Sequence, residues 1–246
     1  MMLKTVDGIA PGPLNKTAPR KGQGFAWPRA ISLLILTVLP MVMGCASQPV
    51  KHLPEQRSCD SAIDEAVKRG DWPKALAEHE RLLAQKPGDC LALYHLGYIW
   101  GQMGEHAKEV AYYEKSIQCG DIGDDLLYFN MGMAKADLGD MQGARSAFEK
   151  ATTINPRNPE NYFGLGFVDQ ASGRFTEAEK SWQRCLTIDP QHTGCHLALA
   201  RLLIDQSRWK DAAAHLDAVQ ALEPDNDELR ELRELLESRK ALEYKK

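Results

Sequence analysis

From residue 56 to residue 226 the chain repeats itself with a period of about 34 residues, and a period of that length admits few folds. The stretch 125–158 carries the pattern most clearly. Tyr128, Met131 and Gly132 form one apolar stripe at helical spacing, Gly139 ends it, and Ala144, Phe148, Ala151 and Pro156 mark a second. Two helices and a turn result. Gly132 and Ala144 fall where two antiparallel helices cross closely, and Phe148 wedges the space left between them. Pro156 closes the second helix because it cannot continue the helical ladder and biases Asn155 away from the α region. Such a unit contacts its neighbours to bury its apolar faces.

The other units keep the same offsets. Residues 159–192 supply Tyr162, Leu165, Gly166, Gly173, Ala178, Trp182 and Pro190, and residues 193–226 supply His196, Leu199, Ala200, Ala212, Leu216 and Pro224. Residues 90–124 keep Leu93, Leu96, Gly97, Gly104 and Tyr113, but put Glu109 where Ala is usual and Asp121 where Pro is usual. Residues 56–89 keep Gly70, Ala75 and Pro87, with Ala62 and Ile63 in place of Leu-Gly. This spacing resembles the tetratricopeptide repeat (TPR), whose unit pairs a Leu-Gly helix with an Ala-x-x-x-Phe helix closed by Pro. The resemblance implies an all-α, right-handed α-solenoid of about five repeats. Residues 227–246, charged but with Leu229, Leu232, Leu235, Leu236 and Leu242 on one face, fit a capping helix over its open end.

The first 44 residues do not share the period. Residues 1–30 are rich in Pro, Gly and Lys/Arg, and an apolar run from Ile31 to Leu39 follows, too short to span a bilayer. That is the order of a signal peptide. Val42-Met43-Gly44-Cys45 then resembles the bacterial lipobox, although Val42 and Met43 depart from its preferred residues. The resemblance implies lipid on Cys45, whose thiolate can carry a diacylglyceryl thioether and whose freed amine can take a further chain. Ala46, where inner-membrane lipoproteins tend to carry Asp, implies the periplasmic face of the outer membrane. A plain secreted protein or a short uncleaved anchor is the alternative reading. Residues 45–55 read as a polar tether.

Removing residues 1–44 takes away five basic and one acidic residue, which leaves 25 Lys/Arg against 33 Asp/Glu. An acidic chain argues against a nucleic-acid partner, which needs a basic stripe. Beyond Cys45 stand Cys59, Cys90, Cys119, Cys185 and Cys195, an odd number for an oxidising compartment. On the repeat template Cys90 opens one unit's first helix and Cys119 ends its second, while Cys185 lies late in one unit and Cys195 early in the next. The template therefore pairs Cys90 with Cys119 and Cys185 with Cys195, against the plainer reading of Cys as a small buried residue. Cys185, His192, Cys195 and His196 are also zinc-ligand types, but their spacing fits no finger or ribbon. No P-loop, G-x-S-x-G or H-E-x-x-H sequence occurs, so no cofactor and no catalysis are expected. The reading of another class is a metal-binding or enzymatic protein using Cys185, Cys195 and His196.

In the family the inner wall of the solenoid comes from set positions of each first helix. Here they give Leu91, Tyr94 and Tyr98, then Leu126, Phe129 and Met133, then Phe163 and Phe167, then Leu197 and Arg201. An exposed wall of this composition predicts an apolar groove for a partner's helix or extended segment. A register shifted by one residue would instead turn some of these side chains between helices. The carboxylate clamp of chaperone-binding TPRs is not expected, because only Asn130 matches it. Tyr94, Tyr98, Glu160 and Gly164 occupy its other places. The whole pattern is similar to TPR lipoproteins of pilus and secretion systems, including type IV pilus pilotins and tight-adherence pilus lipoproteins. It implies a non-enzymatic scaffold that helps assemble an envelope complex such as a secretin. An adaptor for peptidoglycan enzymes or for outer-membrane protein assembly is the alternative.

Overall fold

The computed structural model describes residues 61–120 and 124–243. The leader, Cys45, Cys59 and the tether lie outside the described residues. Within them the chain forms eleven α-helices and no strand. They are α1 (Ser61–Lys68), α2 (Trp72–Gln85), α3 (Cys90–Gln102), α4 (His106–Cys119), α5 (Asp125–Asp137), α6 (Met141–Ile154), α7 (Pro159–Ala171), α8 (Phe175–Ile188), α9 (Thr193–Asp205), α10 (Trp209–Leu222) and α11 (Asp227–Glu243). Successive helices pack in pairs, each pair stacks on the next, and α11 lies against both α9 and α10. No helix among the described residues is long and apolar enough to cross a membrane.

Local chemistry sets the helix starts. Asp89, Asp124, Asp140 and Asn158 each precede a helix and accept a backbone N–H from its first turn, at 2.9–3.1 Å. Such a cap is worth about 1 kcal/mol. The turn inside each pair needs a left-handed residue. Gly70, Gly104, Gly139 and Gly173 supply it with φ of +70° to +80°, and in the last pair Ser207 takes φ 61° in the same place.

The interior of each pair is a matched set of volumes. A Cβ on Gly97 would come within 2.5 Å of the Tyr113 ring, and one on Gly132 within 3.0 Å of Phe148. Gly166 stands in the same way against Trp182. In the last pair the wedge is the smaller Leu216, and Ala200 replaces glycine opposite it, both fully buried. The first wedge is His79, whose Nδ1–H donates to the Ala75 carbonyl (2.8 Å) and whose Nε2 accepts from His95 Nδ1 (3.2 Å). Phe148 also reaches the next repeat, where it closes over Gly164 of α7.

Polar ties join the repeats. Asp169 of α7 is buried and accepts from Arg145 Nε of α6 at 2.9 Å and Arg174 Nε at 2.8 Å. Asp125 of α5 accepts from the amides of Asn158 (2.7 Å) and Asn161 (2.8 Å), which fastens one repeat's start to the next.

Candidate functional site

The residues expected to form an exposed apolar wall divide into two sets. Tyr94, Phe129, Met133, Phe163 and Leu197 are buried, which corrects the expectation of an apolar wall open to water. Their packing gives the reason. The Tyr94 ring lies 5.5 Å from Tyr113, and Phe129 meets Phe148 edge-on at 5.4 Å. The Phe163 ring sits 5.1 Å from His192, and its carbonyl accepts from Trp182 Nε1–H at 3.2 Å. These side chains fill the junctions between helices, and truncating them would damage the core.

Asn130 is buried as well. Its amide donates to the Tyr94 hydroxyl at 3.1 Å, linking α5 to α3. Burial, the Asp124 charge and further like charges push the Tyr94 phenol well above its ordinary range, so it remains a neutral hydrogen-bonding group.

What stays partly exposed is a row at one position of three repeats: Tyr98 in α3, Phe167 in α7 and Arg201 in α9. Tyr98 packs edge-on against Trp72 at 6.3 Å, and burial together with the Glu109 carboxylate raises its phenol. Arg201 Nη2 donates to Glu228 of α11 at 3.4 Å, which ties this end of the row to the cap. Leu91 and Leu126 are half-buried in their helices' first turns. The row thus offers two aromatic faces and a guanidinium, a narrower and more polar surface than the one expected.

The cysteines are joined as Cys90–Cys119 and Cys185–Cys195, with Cα–Cα distances of 5.5 and 6.6 Å. The first bond ties the start of α3 to the end of α4, and the second ties α8 to α9. The ligand trio of Cys185, Cys195 and His196 is corrected, because His196 turns away from the sulfurs. Its Nε2–H donates to the Pro190 carbonyl (3.1 Å), and its Nδ1 faces His215 Nδ1 at 2.9 Å. The histidine beside the cysteines is His192. One residue along a helix rotates a side chain by about 100°, so His196 cannot share the direction of Cys195, whereas His192 folds back as the helix cap.

Family models of the tetratricopeptide repeat match residues 61–121, 126–158 and 171–236. This chain is a tetratricopeptide repeat protein. It is 22% identical over 161 residues to the tetratricopeptide repeat-containing protein trd-1 of Caenorhabditis elegans, covering 65% of this chain and 20% of the relative. With the TPR repeat-containing protein MJ1428 of Methanocaldococcus jannaschii it shares 28% over 120 residues, covering 49% and 21%. The chain thus spans about a fifth of the length of these curated relatives. Among solved structures, MamA superposes with a TM-score of 0.63 at 18% identity, covering 68% of this chain and 97% of that one. YrrB, described as a TPR protein with an unusual peptide-binding site, gives 0.60 at 17%, covering 70% and 88%. At these identities the superpositions establish the fold. TPR proteins are protein-interaction scaffolds, and the family models that match this chain are all of that repeat.

Proposed function

We propose that this TPR protein is a bacterial lipoprotein, held through lipid on Cys45 at the periplasmic face of the outer membrane, which binds segments of envelope proteins and helps assemble a complex such as a pilus or secretion secretin. The observation that carries the binding surface is the partly exposed row Tyr98, Phe167 and Arg201. Aromatic faces give a docked segment apolar area, and a guanidinium gives it one directional contact with a carboxylate or carbonyl. The anchor rests on Val42-Met43-Gly44-Cys45 after an apolar run. Two or more acyl chains hold a protein firmly, at about 0.8 kcal/mol per buried methylene. A peptide-binding site is described for YrrB, a neighbour in fold, and this reading gives the present chain a peptide-binding task of its own.

The test is capture from solubilised envelope by the lipidated protein, run beside a Tyr98→Ala/Phe167→Ala variant. A secretin subunit held by the parent and lost from the variant is the expected result. Equal capture by both would move the binding surface elsewhere on the repeats, and capture of peptidoglycan enzymes alone would replace the secretin. Cys45→Ala should move the protein from the membrane fraction to the soluble fraction, and a variant that stays with the membrane would remove the lipid anchor.

A further inference from the structure

Cys185, His192 and Cys195 bring two sulfurs and one ring nitrogen within 4.8 Å of one another. Cys185 lies in the last turn of α8, Cys195 in the first turn of α9, and His192 caps the start of α9. Both cysteines are fully buried, and their sulfurs form a disulfide. A disulfide has no thiolate to offer a metal ion. We propose that, once this bond is reduced, Cys185, Cys195 and His192 bind one zinc(II) ion, so that the α8–α9 junction carries a disulfide or a metal and never both. The inference is independent of the anchor and of the exposed row.

The donor set fits the ion. Two thiolates and one imidazole are ligands of borderline softness that suit zinc, and a water would complete the usual four. The imidazole is already oriented. His192 Nε2–H donates to Glu160 Oε1 at 3.0 Å, and Nδ1 accepts the backbone N–H of Cys195 at 3.1 Å. The lone pair therefore sits on Nδ1, on the Cys195 side of the ring. A carboxylate on the far nitrogen is the arrangement that fixes metal-bound histidines. Packing holds the ring in place, since Phe163 lies against it and a Cβ on Gly194 would meet both rings at 3.0–3.3 Å. The N-terminus of α9 favours a thiolate at Cys195.

The chemistry balances with one named co-reactant. A dithiol reductant attacks one sulfur of the Cys185–Cys195 bond, forming a mixed disulfide. Its second thiol then displaces the protein sulfur, leaving a cyclic disulfide and two cysteine thiols. The protein gains two electrons and two protons. Zinc binding forms two S–Zn bonds, releases the two thiol protons, and exchanges the Cys195 N–H at His192 Nδ1 for the ion.

The experiment uses the full chain with Cys90→Ser and Cys119→Ser, which removes the other disulfide. The protein is reduced with dithiothreitol, freed of reductant under anaerobic conditions and titrated with cobalt(II), a spectroscopic probe for zinc sites. One equivalent should develop thiolate-to-cobalt charge-transfer absorption and be displaced by zinc(II), while the oxidised protein should show none. His192→Asn keeps a side-chain cap at the helix start, so the fold is retained, but removes the ligand. It should weaken binding by about tenfold or more. His196→Ala should leave the affinity unchanged. Cys45 and Cys59 remain in this chain, so the His192→Asn arm decides. Absence of the absorption in reduced protein, equal binding by oxidised protein, or undiminished binding by His192→Asn would each overturn the proposal.

Discussion

In the α5–α6 pair the residue near the start of the second helix is Ala144 and the wedge one turn later is Phe148, while in α3–α4 the same places hold Glu109 and Tyr113. All four are fully buried. Glu109 fits because Gly101 stands opposite, where α5 has Ala136, and the carboxyl group occupies the space that a Cβ on Gly101 would take. Its oxygens are bound. Oε2 accepts from His106 Nδ1 at 2.9 Å and Oε1 from the Tyr113 hydroxyl at 3.2 Å. Burial first and the neighbouring carboxylate next hold the Tyr113 phenol well above its ordinary range, so it remains a donor. What the repeat requires at this place is filled volume with every polar atom satisfied, and an apolar pair or a bonded acid can each meet that demand.

The largest effect expected is at this contrast. Gly101→Ala should cost about 3 kcal/mol, because the new methyl overpacks the pair and drives the carboxylate from its two partners. Gly132→Ala should cost less, since its Cβ meets only the Phe148 ring at 3.0 Å. The double variant Gly101→Ala/Glu109→Ala writes the α5–α6 arrangement into α3–α4 and should recover most of the loss. A coupling of about 1 kcal/mol or more in urea unfolding is the expected signature. Additive effects would show that Glu109 and Gly101 do not share one volume.

The fold was legible because its signal is repetition. Ala144, Phe148 and Pro156 recur at fixed offsets, and α3, α5, α7 and α9 begin at Cys90, Asp125, Pro159 and Thr193, where the sequence units open. The departure at Glu109 was visible too, but not its cause, since Gly101 lies in the preceding helix and outside the repeat pattern. The candidate surface was legible only in part. Tyr94 and Tyr98 lie four residues apart on one helix, as do Phe129 and Met133, and only the packing of the neighbouring helices decides which of them is covered. Histidine pairing was hidden for a different reason. His79 and His95, like His196 and His215, come from different helices, and only the packing of those helices brings the rings together.

The second comparison is among the turns within each pair, where four glycines and Ser207 adopt the same left-handed conformation. For an L-residue that conformation costs about 1–2 kcal/mol. Ser207→Gly removes the cost but adds freedom to the unfolded chain, worth about 0.5–1 kcal/mol in the other direction. A net gain of about 1 kcal/mol, read as a higher urea midpoint, is expected. Gly139→Ala should lose a similar amount. If Ser207→Gly were neutral, the serine turn would be relaxed by contacts that the glycine turns lack.

The smallest effect concerns the two ends of the repeat array, each of which holds a histidine pair. His79 and His95 are sealed in the first repeats, whereas the His196–His215 pair is only half-buried. Burial, followed by the neighbouring His196, lowers the His215 pKa from its ordinary value of 6.5. The charges of Asp211 and Glu179 oppose that shift, and that of Arg208 adds to it. A lowered pKa means that the unfolded chain takes up the proton first as the medium is acidified. Stability should therefore be constant above about pH 6.5 and decline as pH falls from there through the folded-state value. His215→Gln keeps a polar side chain but removes this titration, so its stability should change less between pH 7.5 and pH 5 than that of the parent. The measurement is urea unfolding at both pH values, and an equal decline in the two proteins would assign the acid sensitivity to other groups.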